Sequence, residues 1–124
     1  YEVFCGIVPE TKEEKTMKNG ITQMSVNEFK QRRDQGDNLF LLDVREPYEY
    51  QIAQIGGTLI PQNDVPNRLA EIPRDREVVV QCRSGARSQR IAEFLKQSGY
   101  TNVSNLAGGI LAWADQIDPT VTKY

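Results

Sequence analysis

The seven residues "CRSGARS" at positions 82–88 hold most of the reactive potential of this chain. One thiol, Cys82, is followed by two guanidinium groups (Arg83, Arg87), two hydroxyls (Ser84, Ser88), Gly85 and Ala86, between the apolar run "EVVVQ" and a segment of helical periodicity. A helix start leaves main-chain N–H groups without partners and carries partial positive charge, so a thiolate placed there is stabilised and becomes a nucleophile. Gly85 can adopt backbone angles closed to other residues, which lets successive N–H groups turn inward as an anion-binding nest. Arg83 and Arg87 add positive charge at the rim, and Ser84 and Ser88 add hydroxyl donors. Taken alone, a cysteine at the end of a valine strand is more often a packing residue. A core cysteine, however, has no use for two arginines, a glycine and a helix start in the next six residues. Arg90 is read as an ordinary surface arginine.

Composition narrows the chemistry further. The 124 residues suit one domain with a tail. The net charge of −2 is wrong for a sequence-independent nucleic-acid surface. No stretch approaches the roughly 20 apolar residues of a membrane span, so neither nucleic acid nor membrane is expected as a partner. With no histidine there is no imidazole base or ligand, and the two cysteines, Cys5 and Cys82, cannot alone make a usual structural zinc site. No metal or organic cofactor is expected. The scarcity of cysteine and the lack of a signal-peptide pattern at the N-terminus lead to the expectation of reduced thiols in the cytoplasm.

The elements that must position Cys82 follow from periodicity. Residues 21–24 form a short strand, and Ser25 with Glu28 makes a capping box opening a helix to about residue 33, closed by Gly36. "LFLLDV" at 39–44 is an uninterrupted apolar run, as in a parallel strand buried on both faces. Pro47 suits the first turn of a short helix. A weaker strand at 58–61 precedes a helix capped by Asn63 or Asp64 and running to Glu71, with Val65, Leu69 and Ile72 at helical spacing. Residues 77–80 form the second strong interior strand, and the helix after Cys82 buries Ile91, Ala92 and Leu95 and ends at Gly99. A short strand at 103–106, a Gly108-Gly109 turn and a helix carrying Trp113 and Ile117 complete the set. Alternating strands and helices predict an α/β domain with a mainly parallel sheet and its site at the carboxyl ends of the strands. The charged stretch 10–20, "ETKEEKTMKNG", reads as a linker, so the expected boundaries are 1–20 linker or tail, 21–118 domain and 119–124 tail.

Three ordered motifs resemble those of the rhodanese-like sulfurtransferases: "LLDVREPYEY" at 41–50, "CRSGARS" at 82–88 and "GGILAW" at 108–113. The resemblance spans about residues 21–117 and implies a three-layer α/β domain in which Cys82 takes up a sulfane sulfur as a persulfide and passes it on. It also implies that Asp43 and Arg45 support the loop, that Glu49 pairs with an arginine, and that Trp113 is structural. Where members of the family often read His-Ile-Pro-Gly-Ala, this chain has "QIGGT" at 54–58, a looser turn. The phosphatases with a cysteine cradle place five residues between Cys and Arg, whereas Cys82 and Arg87 enclose four. The smaller ring suits a terminal sulfur better than a phosphoryl group, and Gln81 stands where such enzymes commonly have a histidine, so a phosphatase is the distant alternative.

The ends, "YEVFCGIVP" and "DQIDPTVTKY", resemble the linker and terminus of proteins in which a rhodanese-like domain follows an adenylating domain of the molybdopterin and thiamine type. That resemblance implies a persulfide or thiosulfate donor, a ubiquitin-like sulfur carrier protein as acceptor, and an adenylating domain N-terminal to this one in the full-length chain. A catalytically idle docking module is the alternative of a different class. Cys5 is read as incidental, a resolving partner for Cys82 being the other possibility.

Overall fold

The computed structural model describes residues 16–124; Cys5, the apolar segment at 1–9 and most of the expected linker lie outside them. The elements run β1 (Met17–Lys18), β2 (Ile21–Met24), α1 (Val26–Asp34), β3 (Leu39–Asp43), α2 (Pro47–Ile52), β4 (Thr58–Leu59), two 3-10 segments (Gln62–Asn67 and Leu69–Glu71), β5 (Glu77–Gln81), α3 (Ala86–Gln97), β6 (Val103–Leu106) and α4 (Gly109–Gln116). The strands form one sheet in the order β1-β2-β6-β5-β3-β4, parallel except for β1 against β2. No helix among the described residues is long and apolar enough to cross a membrane.

Strand β5 lies at the centre, with β3 in register from Leu39 opposite Glu77 to Asp43 opposite Gln81. Because side chains alternate across a strand, Val78 and Val80 join Leu42, Ile91, Ala92 and Leu95 under α3 and the 3-10 segments. Val79 joins Leu41, Phe29, Ile110 and Trp113 under α1 and α4. The result is three layers, helices on both faces of a mainly parallel sheet. Both interior strands are buried on two sides, which is why their sequences show no polar alternation. Ser25 caps α1 by accepting the Glu28 N–H at 3.0 Å.

Three expectations are corrected. Met17 and Lys18, assigned to the linker, pair with Thr22 and Ile21 as an edge strand. The Asn19-Gly20 pair between them has φ of 51° and 80°, the geometry of a two-residue hairpin turn rather than of a flexible break. The helix expected from Asn63 or Asp64 to Glu71 is two 3-10 segments separated at Arg68. Pro66 lies inside the first and has no N–H for an α-helical ladder, while Val65 and Ile72 still reach the core. Finally, the stretch 119–124 is not a detached tail: Val121 and Tyr124 pack against the α1–α4 side of the core.

In the "QIGGT" turn Gly56 has φ of +86°. Proline is locked near −65°, so the turn adopts a geometry that the proline common at this place in the family cannot reach.

Just beyond β3, the Asp43–Arg45 pair is wholly buried. All five guanidinium N–H groups of Arg45 are used: Nε and one Nη2 proton on the Asp43 carboxylate (Nη2 to Oδ2 2.7 Å), the other on Ala53 O (2.8 Å), and Nη1 on Tyr124 Oη (2.9 Å) and Glu49 O (3.4 Å). Removing one partner of such a pair leaves an uncompensated buried charge. Asp43→Ala is therefore expected to lower unfolding free energy by about 3–5 kcal/mol, with much of it regained in Asp43→Leu/Arg45→Met; urea denaturation of the three proteins measures both.

Candidate active site

Cys82 follows the last residue of β5, and the chain turns at once into α3. Gly85, the N-cap of that helix, has φ of +105°, and a Cβ there would lie 3.2 Å from Gly108 N. A side chain at this point would be strained in conformation and crowded against the next loop. The turn brings donors back over the sulfur: Sγ accepts from Gly85 N at 3.1 Å, Ser88 N at 3.4 Å and Ser88 Oγ at 3.4 Å. Burial pushes the thiol up, but the Ser88 hydroxyl and the main-chain N–H groups of Ser88, Gly85 and Ser84 outweigh it and hold Cys82 below its ordinary value.

The base of the loop is held from below by α4. Ile110 N donates to Cys82 O at 3.0 Å and Leu111 N to Arg83 O at 3.1 Å. The free N–H groups at the start of one helix thus bind the carbonyls that precede the next. Contact is so close that a Cβ on Gly109 would lie 2.5 Å from Cys82 O. This explains why a glycine pair belongs at 108–109, although the sequence shows it only as a turn.

The two loop arginines have different fates. Arg87 forms a bidentate pair with Glu49 of α2, both nitrogens at 2.8 Å. The Glu49 carboxylate also accepts from Glu46 N at 2.9 Å and from Tyr124 Oη at 2.8 Å. The Arg87 guanidinium, opposed by burial and helped by these other donors, lowers Glu49 to about 2, and Arg87 is raised in return. Arg83 is exposed at the rim and donates through Nε and Nη2 to the main-chain oxygen of Tyr124, with Nε at 2.7 Å. Tyr124 therefore bridges Arg45 and Glu49 on one side to Arg83 on the other, and both guanidinium groups also lie over its ring, 5.9 and 5.3 Å from the centroid.

The link of Asp43 and Arg45 to residues 82–88 is indirect and runs through Glu49 and Tyr124. Ser84 and Ala86 are exposed on its outer side. Trp113 is buried against Phe29 edge-on, at 6.0 Å between centroids, with Arg33 over its ring. Gln81 is fully buried, and its side-chain amide has no hydrogen-bond partner among the described residues. Strand alternation directs it to the face opposite Cys82.

Sequence reasoning missed Tyr124, Asn105, Gln23 and Gln89. Asn105 accepts from Ser88 Oγ at 2.5 Å, and Gln23 and Gln89 extend that contact outward. The one available signal was a polar pair, Ser104-Asn105, inside the short strand expected at 103–106.

Residues 25–116 match the family model described as a rhodanese-like domain. The chain belongs to the rhodanese-like family. It is 36% identical to the Mycobacterium tuberculosis protein named "Probable adenylyltransferase/sulfurtransferase MoeZ", an alignment that takes in all of this chain but 32% of that protein. The chain thus spans about a third of the length of this relative. It is 41% identical to a protein of Allochromatium vinosum named "Sulfurtransferase", covering 76% of this chain and 89% of that one. Among solved structures, a rhodanese-related protein from Thermoplasma volcanium superposes with a TM-score of 0.71 at 28% identity, covering 82% of this chain and 98% of that one.

Two measurements follow from the electrostatics. The rate of Cys82 alkylation by iodoacetamide, plotted against pH, is expected to inflect below the value near 8.5 of an unperturbed thiol; an inflection at or above it would mean that burial outweighs the donors. Because the folded pKa of Glu49 is depressed from 4.5 to about 2, its pairing stabilises the fold above pH 4.5 and is lost as pH falls towards 2. Glu49→Gln should therefore be less stable than wild type at pH 7, with the gap closing between pH 4.5 and 2 in denaturant unfolding.

Proposed function

We propose that this rhodanese-like protein is a sulfurtransferase that carries sulfane sulfur on Cys82. The observation supporting the reading is the convergence of Gly85 N, Ser88 N and Ser88 Oγ on one sulfur, with the loop's carbonyls drawn off by α4. Donors aimed at a thiolate can equally hold the terminal sulfur of a persulfide, which is also an anion.

In the first half-reaction the thiolate attacks the outer sulfur of the donor. The new S–S bond forms as the bond to the leaving group breaks, and that group departs with the electron pair, as sulfite from thiosulfate or as a thiolate from a persulfide donor. In the second, the terminal sulfur is taken by a nucleophile such as cyanide, which restores the thiolate. Where the acceptor is the adenylated C-terminus of a ubiquitin-like carrier protein, the terminal sulfur attacks the acyl carbon and the adenylate leaves. A thiol reductant then splits the acyl disulfide into the thiocarboxylate and free Cys82. The adenylating activity in the name of the mycobacterial relative is the reason to propose this acceptor, with the adenylating domain on the same full-length chain. A reducing compartment, the cytoplasm, suits a working free thiol.

Arg83 is the residue proposed to receive the anionic end of a donor. Its fork holds a single main-chain oxygen, a ligand that an incoming anion can replace. Arg87 is engaged on both terminal nitrogens by a buried carboxylate and serves to brace the loop. That engagement, with the four-residue interval, also counts against the phosphatase alternative, in which the arginine must hold phosphate oxygens. Cys82 is 1% exposed, so donor entry involves displacement at the rim, where Tyr124 is the bridging residue. The idle docking module is disfavoured because a thiol held below its ordinary value serves no docking purpose.

Cys82→Ser is expected to abolish sulfur transfer from thiosulfate to cyanide, read as thiocyanate formed, while leaving the circular dichroism spectrum unchanged; transfer at the wild-type rate would overturn the assignment. Arg83→Ala should raise KM for thiosulfate about tenfold with a smaller change in kcat, as for loss of one charged contact to the donor.

A further inference from the structure

The Ser88 hydroxyl has one proton and two neighbours that compete for it. Asn105 Oδ1 lies at 2.5 Å and Cys82 Sγ at 3.4 Å. Which of them receives the proton is decided at the far end of a chain of side-chain amides. Glu93, a carboxylate, can only accept, and it takes Nε2 of Gln89 at 2.7 Å. Gln89 must then turn Oε1 inward, where it accepts from Gln23 Nε2 at 2.7 Å. Gln23 in turn presents Oε1 to Asn105 Nδ2 at 2.9 Å, leaving Asn105 Oδ1 as the acceptor facing Ser88.

Each amide is oriented a second time by a main-chain carbonyl, which also only accepts: Gln89 by Lys18 O (2.9 Å), Gln23 by Ile21 O (3.1 Å) and Asn105 by Gly85 O (3.2 Å). No amide can flip without losing two bonds, so the direction of the chain is set by chemistry and not by the choice of O and N positions. The same network joins β1, β2, β6 and α3.

We propose that Gln89, Gln23 and Asn105 are positioning residues, a polarised relay anchored on Glu93 that draws the Ser88 proton towards Asn105 and away from the Cys82 sulfur. The inference rests on the reading of Cys82 as the sulfur nucleophile and deepens it. With the proton drawn towards Asn105, the hydroxyl serves the anion only in part, and the main-chain N–H groups of Gly85 and Ser88 supply the rest. The thiol is thereby kept from becoming too acidic. Nucleophilicity towards sulfur falls as the thiol pKa falls, and the best attacking thiol has a pKa near ambient pH. The relay trades thiolate population for reactivity.

The charged groups around the sulfur are accounted for from each neighbouring element. Arg87 of α3 is neutralised by Glu49 of α2, Arg83 of the loop binds the main-chain oxygen of Tyr124, and Arg45 after β3 is paired with Asp43. None of these contacts involves Ser88 or Asn105, so they remain in place when the relay is cut.

The test is the pH profile of Cys82 alkylation, read by peptide-resolved mass spectrometry so that Cys5 does not contribute. Asn105→Ala removes the competing acceptor and is expected to lower the apparent pKa of Cys82 by about one unit, the size of a partly released hydrogen bond to a charged group. Gln23→Met interrupts the chain farther from the sulfur. Asn105 Nδ2 then keeps only its bond to Gly85 O while Oδ1 still accepts from Ser88, and the fall should be smaller. In a Ser88→Ala background neither change should move the pKa, because the relay acts through that hydroxyl alone. An unchanged or raised pKa in Asn105→Ala, or a fall that persists without Ser88, overturns the proposal; should Asn105→Ala not fold, Gln23→Met with and without Ser88→Ala decides it alone. Sulfur transfer by the wild-type protein, assayed separately, tests the nucleophile reading and is independent of this result.

Discussion

The site depends on where two peptide carbonyls point. Cys82 O and Arg83 O are taken by the first N–H groups of α4, and with those carbonyls drawn off the succeeding N–H groups close over the sulfur. Two helix N-termini thus meet at one loop, one binding its carbonyls and the other supplying N–H donors to its thiolate. Gly109 permits the first by its lack of a Cβ, and Gly85 permits the second by its left-handed backbone. Replacing either glycine would disturb the cradle while leaving every reactive side chain in place.

Around this core, charge is arranged so that little of it acts directly on the sulfur. The buried Asp43–Arg45 pair and the half-buried Glu49–Arg87 pair fix the neighbouring strand end and α2 against the loop, and Tyr124 joins them to Arg83. Arg83 alone combines exposure with a ligand that can be exchanged. The acidity of Cys82 is left to short-range hydrogen bonds, which discriminate sharply between a thiol and an anion, rather than to bare cations, which would also attract unrelated anions.

Membership of the rhodanese-like family and the local hydrogen bonding support the proposed chemistry by independent routes. The first rests on resemblance across residues 25–116; the second would apply to any thiolate so placed. The longer relatives frame the physiological question, since this chain corresponds to about a third of the mycobacterial protein.

The sequence by itself determined most of the architecture and singled out the loop at 82–88. Apolar runs at 39–42 and 78–80 are what a doubly covered parallel strand requires, and Ser25 with Glu28 is a local capping signal, so both could be read without knowledge of distant contacts. The same locality explains the errors. An Asn-Gly pair is a hairpin turn or a break depending on whether a strand lies on each side, and the stretch before Glu71 follows a 3-10 path because Pro66 interrupts the α-helical ladder that its apolar spacing suggests. Tertiary structure alone decided that Arg87 is bound by Glu49 while Arg83 is left at the rim, that Tyr124 returns to the site, and that Gln23, Gln89 and Asn105 align in one direction. Those facts join residues 38 to 82 positions apart, and a hydrogen bond of a few ångströms between such partners leaves no periodic trace in the chain that makes it.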